Sequence, residues 1–189
     1  MRVLIAEDEA LIRMDMREML AEEGHEVVGE ARDGAEAIEL ARELKPDVVF
    51  MDVKMPGLDG IAAAAVIGSE RIAPVVMVTA FSQSRYVEDA STAGAMGYLV
   101  KPFSKKDILP AMQVAVARFA ETRALEEEVA GLEERLETRK VVERAKGLLM
   151  MRGMTEPEAF GRLQKLAMDR RKTLREVAEA VLLASEAQE

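Results

Sequence analysis

Four short apolar runs constrain this 189-residue chain more than any other feature: Val3-Leu4-Ile5-Ala6, Val48-Val49-Phe50-Met51, Val75-Val76-Met77-Val78 and Tyr98-Leu99-Val100. They are short, mostly β-branched or aromatic, and separated by stretches of helical periodicity. That is the pattern of a parallel sheet covered by helices. Each run ends on polar residues: Glu7 and Asp8, Asp52, Thr79, and Lys101. In such sheets function gathers at the carboxyl ends of the strands. Three acids, a hydroxyl and an ammonium are therefore expected on one rim, a site for a hard cation and a small anion such as a phosphoryl group.

The spacing predicts strands at about 2–6, 27–31, 47–51, 74–79 and 97–100, and helices at about 9–23, 33–44, 60–68 and 84–93, with right-handed crossovers. Gly24 and Gly94 are placed as helix stops, and Asp33 as an N-cap. Ser104 and Asp107 form a capping box that opens a fifth helix. That helix meets no stop near Phe119, where the α/β domain should end. Residues 111–151 contain no proline, and Leu125, Val129, Leu132 and Leu136 follow 4-3-4 spacing, a narrow seam of about two heptads. So short a seam is marginal alone and needs flanking contacts to hold a dimer. Gly153 ends the long helix. Thr155–Glu158 and Thr173–Glu176 are further capping boxes, opening helices to about 170 and 185. Stripes at Val142, Ala145, Leu148 and Leu149, at Phe160, Leu163, Leu166 and Ala167, and at Leu174, Val177, Ala178, Val181 and Leu182 can bury one another in a small three-helix unit. The expected organisation is an α/β domain over 1–119, a linker helix over 120–140 and a three-helix module over 141–189.

Composition narrows the function. Zero cysteines exclude disulfides and thiolate metal sites, and the single His25 argues against a zinc centre or a histidine triad. Charge begins at Arg2, with no leader pattern and no apolar run long enough for a bilayer, so a cytoplasmic protein without membrane partners is expected. Net charge is −9, yet Arg139 to Arg175 hold eleven Lys/Arg against four acids, a net of +7 that leaves −16 on the remainder. Such asymmetry separates an acidic half from one suited to a polyanion.

Carboxylates clustered near a carbonyl oxygen suit Mg2+, which prefers octahedral oxygen ligation. Asp52, ending the central strand, is the natural nucleophile toward phosphorus, forming an acyl phosphate. Such transfer needs positioning and charge neutralisation more than acid or base groups. Asp8 would ligate the metal directly, Glu7 would assist, and the Lys54 carbonyl would supply a third protein ligand. Lys101 would pair with phosphoryl oxygens, and Thr79 would donate a hydrogen bond to one.

The segments VLIAEDE, VVFMDVKMPGLDG, VVMVTAF and GAMGYLVKPF make residues 1–120 resemble the receiver domain of two-component response regulators. The resemblance implies a flavodoxin-like sheet of order 2-1-3-4-5 and Mg2+-dependent transfer of a phosphoryl group from a sensor histidine kinase to Asp52. It implies a switch pair, Thr79 and Tyr98, and a cis bond between Lys101 and Pro102. It also gives Lys54 and Phe81 a part in tuning hydrolysis of the acyl phosphate. Glu7 departs from the aspartate common in receivers but preserves the charge.

The segment VVERAKGLLMMRGMTEPEAFGRLQKLAMDRRKTLREVAEAVL makes residues from about 125 to 185 resemble the ANTAR domain, the RNA-binding output of antiterminator response regulators. That resemblance implies a homodimer on RNA with two adjacent stem-loops, causing transcription antitermination. Ala145, Lys146, Gly147 and Met150 match its first helical signature. The expected RNA contacts are Arg144, Lys146, Arg152, Arg162, Lys165, Arg170, Arg171 and Lys172, with Gly147 and Met150; Phe160 could stack on a base, but its apolar neighbours place it in the expected core. A protein-interaction output without RNA binding is the alternative. A DNA-binding output lacks a recognition helix here. No second catalytic constellation follows Lys101, so the chain is expected to catalyse nothing beyond its own phosphoryl acceptance and slow self-dephosphorylation.

Overall fold

The computed structural model describes residues 1–80 and 94–186. Five strands, β1 (Arg2–Ala6), β2 (Glu26–Ala31), β3 (Val48–Asp52), β4 (Val75–Thr79) and β5 (Gly97–Val100), form one parallel sheet of order β2-β1-β3-β4-β5. Six helices stand among the described residues: α1 (Ala10–Glu22), α2 (Gly34–Leu44), α3 (Gly60–Ser69), α4 (Lys105–Met151), α5 (Glu156–Arg170) and α6 (Leu174–Glu186). The helix expected at 84–93 and Phe81 lie outside the described residues.

The chain divides into two compact units, Met1–Arg123 and Ala124–Glu189. In the first unit the period-2 pattern separates two cores. Val3, Ile5, Val48, Phe50, Val76 and Val78 pack on one face of the sheet with Met16, Leu20, Ile108 and Met112. Leu4, Ala6, Val49, Met51, Val75 and Met77 pack on the other with Ile38, Ala41 and Ile67. A strand buried on both faces cannot alternate apolar with polar residues, which is why these runs are continuously apolar.

Local chemistry starts the helices where it was expected to. The Asp33 carboxylate accepts from the Glu36 N–H at 2.9 Å, and Asp59 accepts from Ala62 at 2.8 Å. The Ser104 N–H and hydroxyl both donate to Asp107, at 2.9 and 2.7 Å. The Lys101–Pro102 bond is cis, as the resemblance implied.

In the second unit Val142, Ala145, Leu149, Ala159, Leu163, Val177 and Ala178 form the core. The Thr155 and Thr173 boxes are formed, their N–H groups donating to Glu158 and Glu176 at 2.9 and 2.8 Å. One expectation is corrected. Phe160 is not a core residue but 37% exposed, and Ala159 is buried in its place. Residues 159 and 163 lie one turn apart on the buried face, and a small side chain suffices there.

Candidate functional site

Strand parity decides which side chains meet at the sheet's carboxyl edge. Glu7 continues the face of Val3 and Ile5, Asp52 that of Val48 and Phe50, and Lys101 that of Leu99. Side chains two apart share a face, so these three converge. The Lys101 ammonium stands 2.7 Å from Glu7 Oε2 and 2.8 Å from Asp52 Oδ1. Thr79 continues the opposite face, that of Val75 and Met77, where half-buried Tyr98 packs beside the same core. Glu7, Asp52 and Thr79 are all at most 5% exposed.

Backbone hydrogen bonds hold this rim. The Glu7 N–H donates to the Ala31 carbonyl at 3.0 Å, Val53 to Val78 at 3.0 Å, and Lys101 to Thr79 at 2.8 Å. The Lys54 N–H donates to Asp52 Oδ2 at 2.9 Å, turning that carboxylate toward Lys101.

Burial, the largest influence, pushes the Glu7 carboxyl above its ordinary pKa, with Lys101 opposing and Asp52 reinforcing the rise. Lys101 is also desolvated, but its pairing with the Asp52 and Glu7 carboxylates outweighs that and holds its pKa above the lysine value. The ammonium is therefore charged at neutral pH.

One oxygen, Glu7 Oε2, is buried and close to the ammonium yet receives no well-directed hydrogen bond. Ligand oxygens of Glu7, Asp8 and Asp52 lie within 4.8 Å of one another. An under-satisfied carboxylate oxygen among hard donors fits a small divalent cation of the Mg2+ type.

Two contributors to the site escaped the sequence reading. Arg13 is buried on α1; its Nη1 donates to the Glu7 carbonyl at 2.6 Å and its Nε to Glu30 at 3.0 Å. It ties the acidic loop to the end of β2. Its signal was its place on the buried stripe of Arg13, Met16 and Leu20. Gly60 opens α3 against the Asp52 backbone, where a Cβ would lie 1.8 Å from the Asp52 carbonyl oxygen. It looked like an ordinary turn glycine.

In the second unit Arg144, Arg152, Arg162, Lys165, Arg170, Arg171 and Lys172 are exposed. Lys146 differs. It is 7% exposed, paired with Glu156 at 2.6 Å and Glu143 at 3.1 Å. Those bonds, Glu156 first, hold its pKa above the usual value. Leu125, Val129, Leu132 and Leu136 are each more than half exposed in the single chain.

A five-stranded 2-1-3-4-5 sheet with a carboxylate cluster and a lysine at its carboxyl edge defines a receiver. Residues 3–113 match the response regulator receiver domain, and residues 130–182 the ANTAR domain. The chain belongs to the response regulators that join a receiver to an ANTAR output, a regulatory rather than catalytic family. It is 67% identical over 182 residues to the transcriptional regulatory protein PdtaR of Mycobacterium tuberculosis (strains CDC 1551 and H37Rv), covering 96% of this chain and 89% of the relative. The receiver of the putative response regulator NarL from Mycobacterium tuberculosis superposes with a TM-score of 0.59 at 35% identity, over 61% of this chain and 95% of that one. A CheX–CheY complex with BeF3 and Mg2+ from Borrelia burgdorferi aligns at a TM-score of 0.54 and 27% identity, over 58% and 84% of the two chains. A receiver implies a phosphodonor kinase, and an ANTAR domain implies RNA. No helix among the described residues is long and apolar enough to cross a membrane.

Proposed function

We propose that a sensor histidine kinase phosphorylates Asp52, and that the phosphorylated chain binds paired stem-loops in nascent RNA as a dimer, causing transcription antitermination. The observation that carries the phosphoryl-acceptor half of this reading is the Lys101 ammonium bridging Glu7 and Asp52 on the rim, and the exposed basic residues of the output unit support the RNA half.

An Asp52 oxygen attacks the phosphorus of the kinase's phosphohistidine. The new O–P bond forms as the N–P bond breaks, and the imidazole nitrogen keeps the electron pair. The negative charge formerly on Asp52 then resides on the phosphoryl oxygens, and Lys101, already within ion-pair distance of Asp52, follows it. Glu7, Asp8, Asp52 and the Lys54 carbonyl would hold Mg2+. When bound, the metal supplies the charge neutralisation that an anionic nucleophile and an anionic phosphoryl group require. Thr79 donates to a phosphoryl oxygen, and Tyr98, on the same face, senses its displacement.

The signal leaves through α4, which opens just after β5. Its Ile108, Met112 and Ala115 are buried in the receiver core, and its Val142, Ala145 and Leu149 in the output core. A second copy would cover Leu125, Val129, Leu132 and Leu136, and pairing two output units raises RNA affinity through effective concentration.

The test compares a paired-hairpin RNA with duplex DNA of equal length, with and without a small phosphodonor and Mg2+, using Asp52→Asn as control. The expected result is RNA-selective binding that rises on phosphorylation and does not respond in Asp52→Asn. Absence of RNA selectivity in both states overturns the RNA reading in favour of a protein-interaction output and leaves the receiver assignment standing.

A further inference from the structure

At the centre of the basic unit, one face carries the opposite charge. Glu143, Lys146, Gly147 and Met150 recur at i, i+3, i+4 and i+7, one side of α4. Lys146 joins that side to α5 through Glu156, and its ammonium lies 5.9 Å from the centroid of the Phe160 ring, one turn beyond Glu156. One ammonium between two carboxylates leaves this cluster at −1, within a stretch whose net charge is +7. Lys146 is saturated by its two acids, so a phosphate gains little here.

The uncharged part of the face is open. Phe160 and Met150 are 37% and 43% exposed. A Cβ on Gly147 would find nothing within 4 Å. A glycine inside a helix costs about 1 kcal/mol relative to alanine, and no neighbour in this chain requires it. The surface offers an aromatic ring, a thioether, bare helix backbone and two carboxylate acceptors. A partner that fits all four is flat, uncharged and edged with N–H donors. An apolar protein helix fits poorly, because it would desolvate Glu143 and Glu156 without replacing their water.

We propose that this face seats an unpaired base of an RNA loop, stacked on Phe160 with its amino edge toward Glu143 and Glu156. The exposed Arg144, Arg162 and Lys165 serve the backbone phosphates. The proposal rests on the RNA reading above and divides the output unit into a base-reading floor and a phosphate-binding surround. Stacking tolerates salt, whereas phosphate contacts release counterions and do not.

The probe is a paired-hairpin RNA enriched by the full-length wild-type chain from a pool with randomised loops. Phe160→Leu, which keeps apolar volume but removes the ring, is expected to lose about tenfold in affinity with an unchanged slope against salt. Phe160→Tyr restores binding. Arg162→Ala flattens the slope by about one. Glu156→Gln steepens it by freeing Lys146 and relaxes the choice of loop sequence. An abasic nucleotide at the critical loop position weakens wild type but adds nothing in Phe160→Leu. The proposal is overturned if Phe160→Leu binds as wild type, if it flattens the salt slope, if its loss and the abasic loss simply add, or if it abolishes a dimer, which would make a second copy the occupant. Failure of wild type to enrich any RNA defeats the RNA reading itself, and the base site with it.

Discussion

The two units treat charge in opposite ways. The receiver draws Glu7, Asp52 and Arg13 into its interior and leaves the Lys101 side chain only 13% exposed. The output unit keeps its basic residues in solvent and buries only Lys146 among those expected to meet RNA. A phosphoryl transfer needs a few groups held within fractions of an ångström, which a sheet edge provides. A polyanion surface needs summed charge and tolerates mobile side chains. Substitutions should therefore act sharply in the first unit and gradually in the second.

The largest effect is expected at Gly60. Gly60→Ala sets a carbon 1.8 Å from the Asp52 carbonyl oxygen, and backbone cannot yield as a side-chain tip would. A loss of about 3 kcal/mol in urea unfolding is expected, together with slower phosphorylation. Stability near wild type would mean that α3 starts elsewhere. Next is Arg13→Ala, which strands the buried Glu7 carbonyl and should remove about 1–3 kcal/mol. Its sharper readout is Mg2+ affinity by equilibrium titration: a several-fold weakening, partly restored by Arg13→Lys, marks a positioning role, whereas unchanged affinity reduces Arg13 to a structural tie.

Glu7 supplies a pH test. Its folded pKa is raised above the unfolded value, chiefly by burial. The ionised group therefore destabilises the metal-free fold at neutral pH, and the penalty fades as pH falls through the raised folded pKa toward the ordinary carboxylate value. Glu7→Gln should raise the metal-free Tm near neutral pH, with the gain shrinking as the solution is acidified. A gain that grows on acidification contradicts the sign. The smallest effect belongs to the seam. Leu132→Ser removes an exposed side chain and should change monomer stability by no more than about 0.5 kcal/mol, while sedimentation shows the phosphorylated dimer lost. A surviving dimer places the interface elsewhere.

The strands and helix starts were legible because their signals are local. Val48–Asp52 reads as a buried strand from its own composition, and Ser104–Asp107 closes its capping box within one turn. The rim residues were legible because each follows a run whose end the sequence marks. Arg13 was not, because a lone arginine on an amphipathic helix usually faces water, and only Glu30 and the Glu7 carbonyl explain its burial. Phe160 was misplaced because size favours a phenylalanine over the adjacent Ala159 for a core, while helix rotation chose the alanine. Lys146 looked like any other cation until α5 brought Glu156 to it.

By itself the sequence determined the alternating β/α order, the helix caps, the unbroken helix after the fifth strand, the charge asymmetry and the residues at the strand ends. These depend on neighbours within a turn or on position along one strand. The tertiary structure alone decided that Lys101 joins Glu7 to Asp52, that Arg13 fastens the acidic loop, that Gly60 must lack a side chain and that Lys146 is held by carboxylates. Each is a meeting of groups carried by different elements or loops, set by strand parity and helix rotation, and a shift of one residue in either would part the groups.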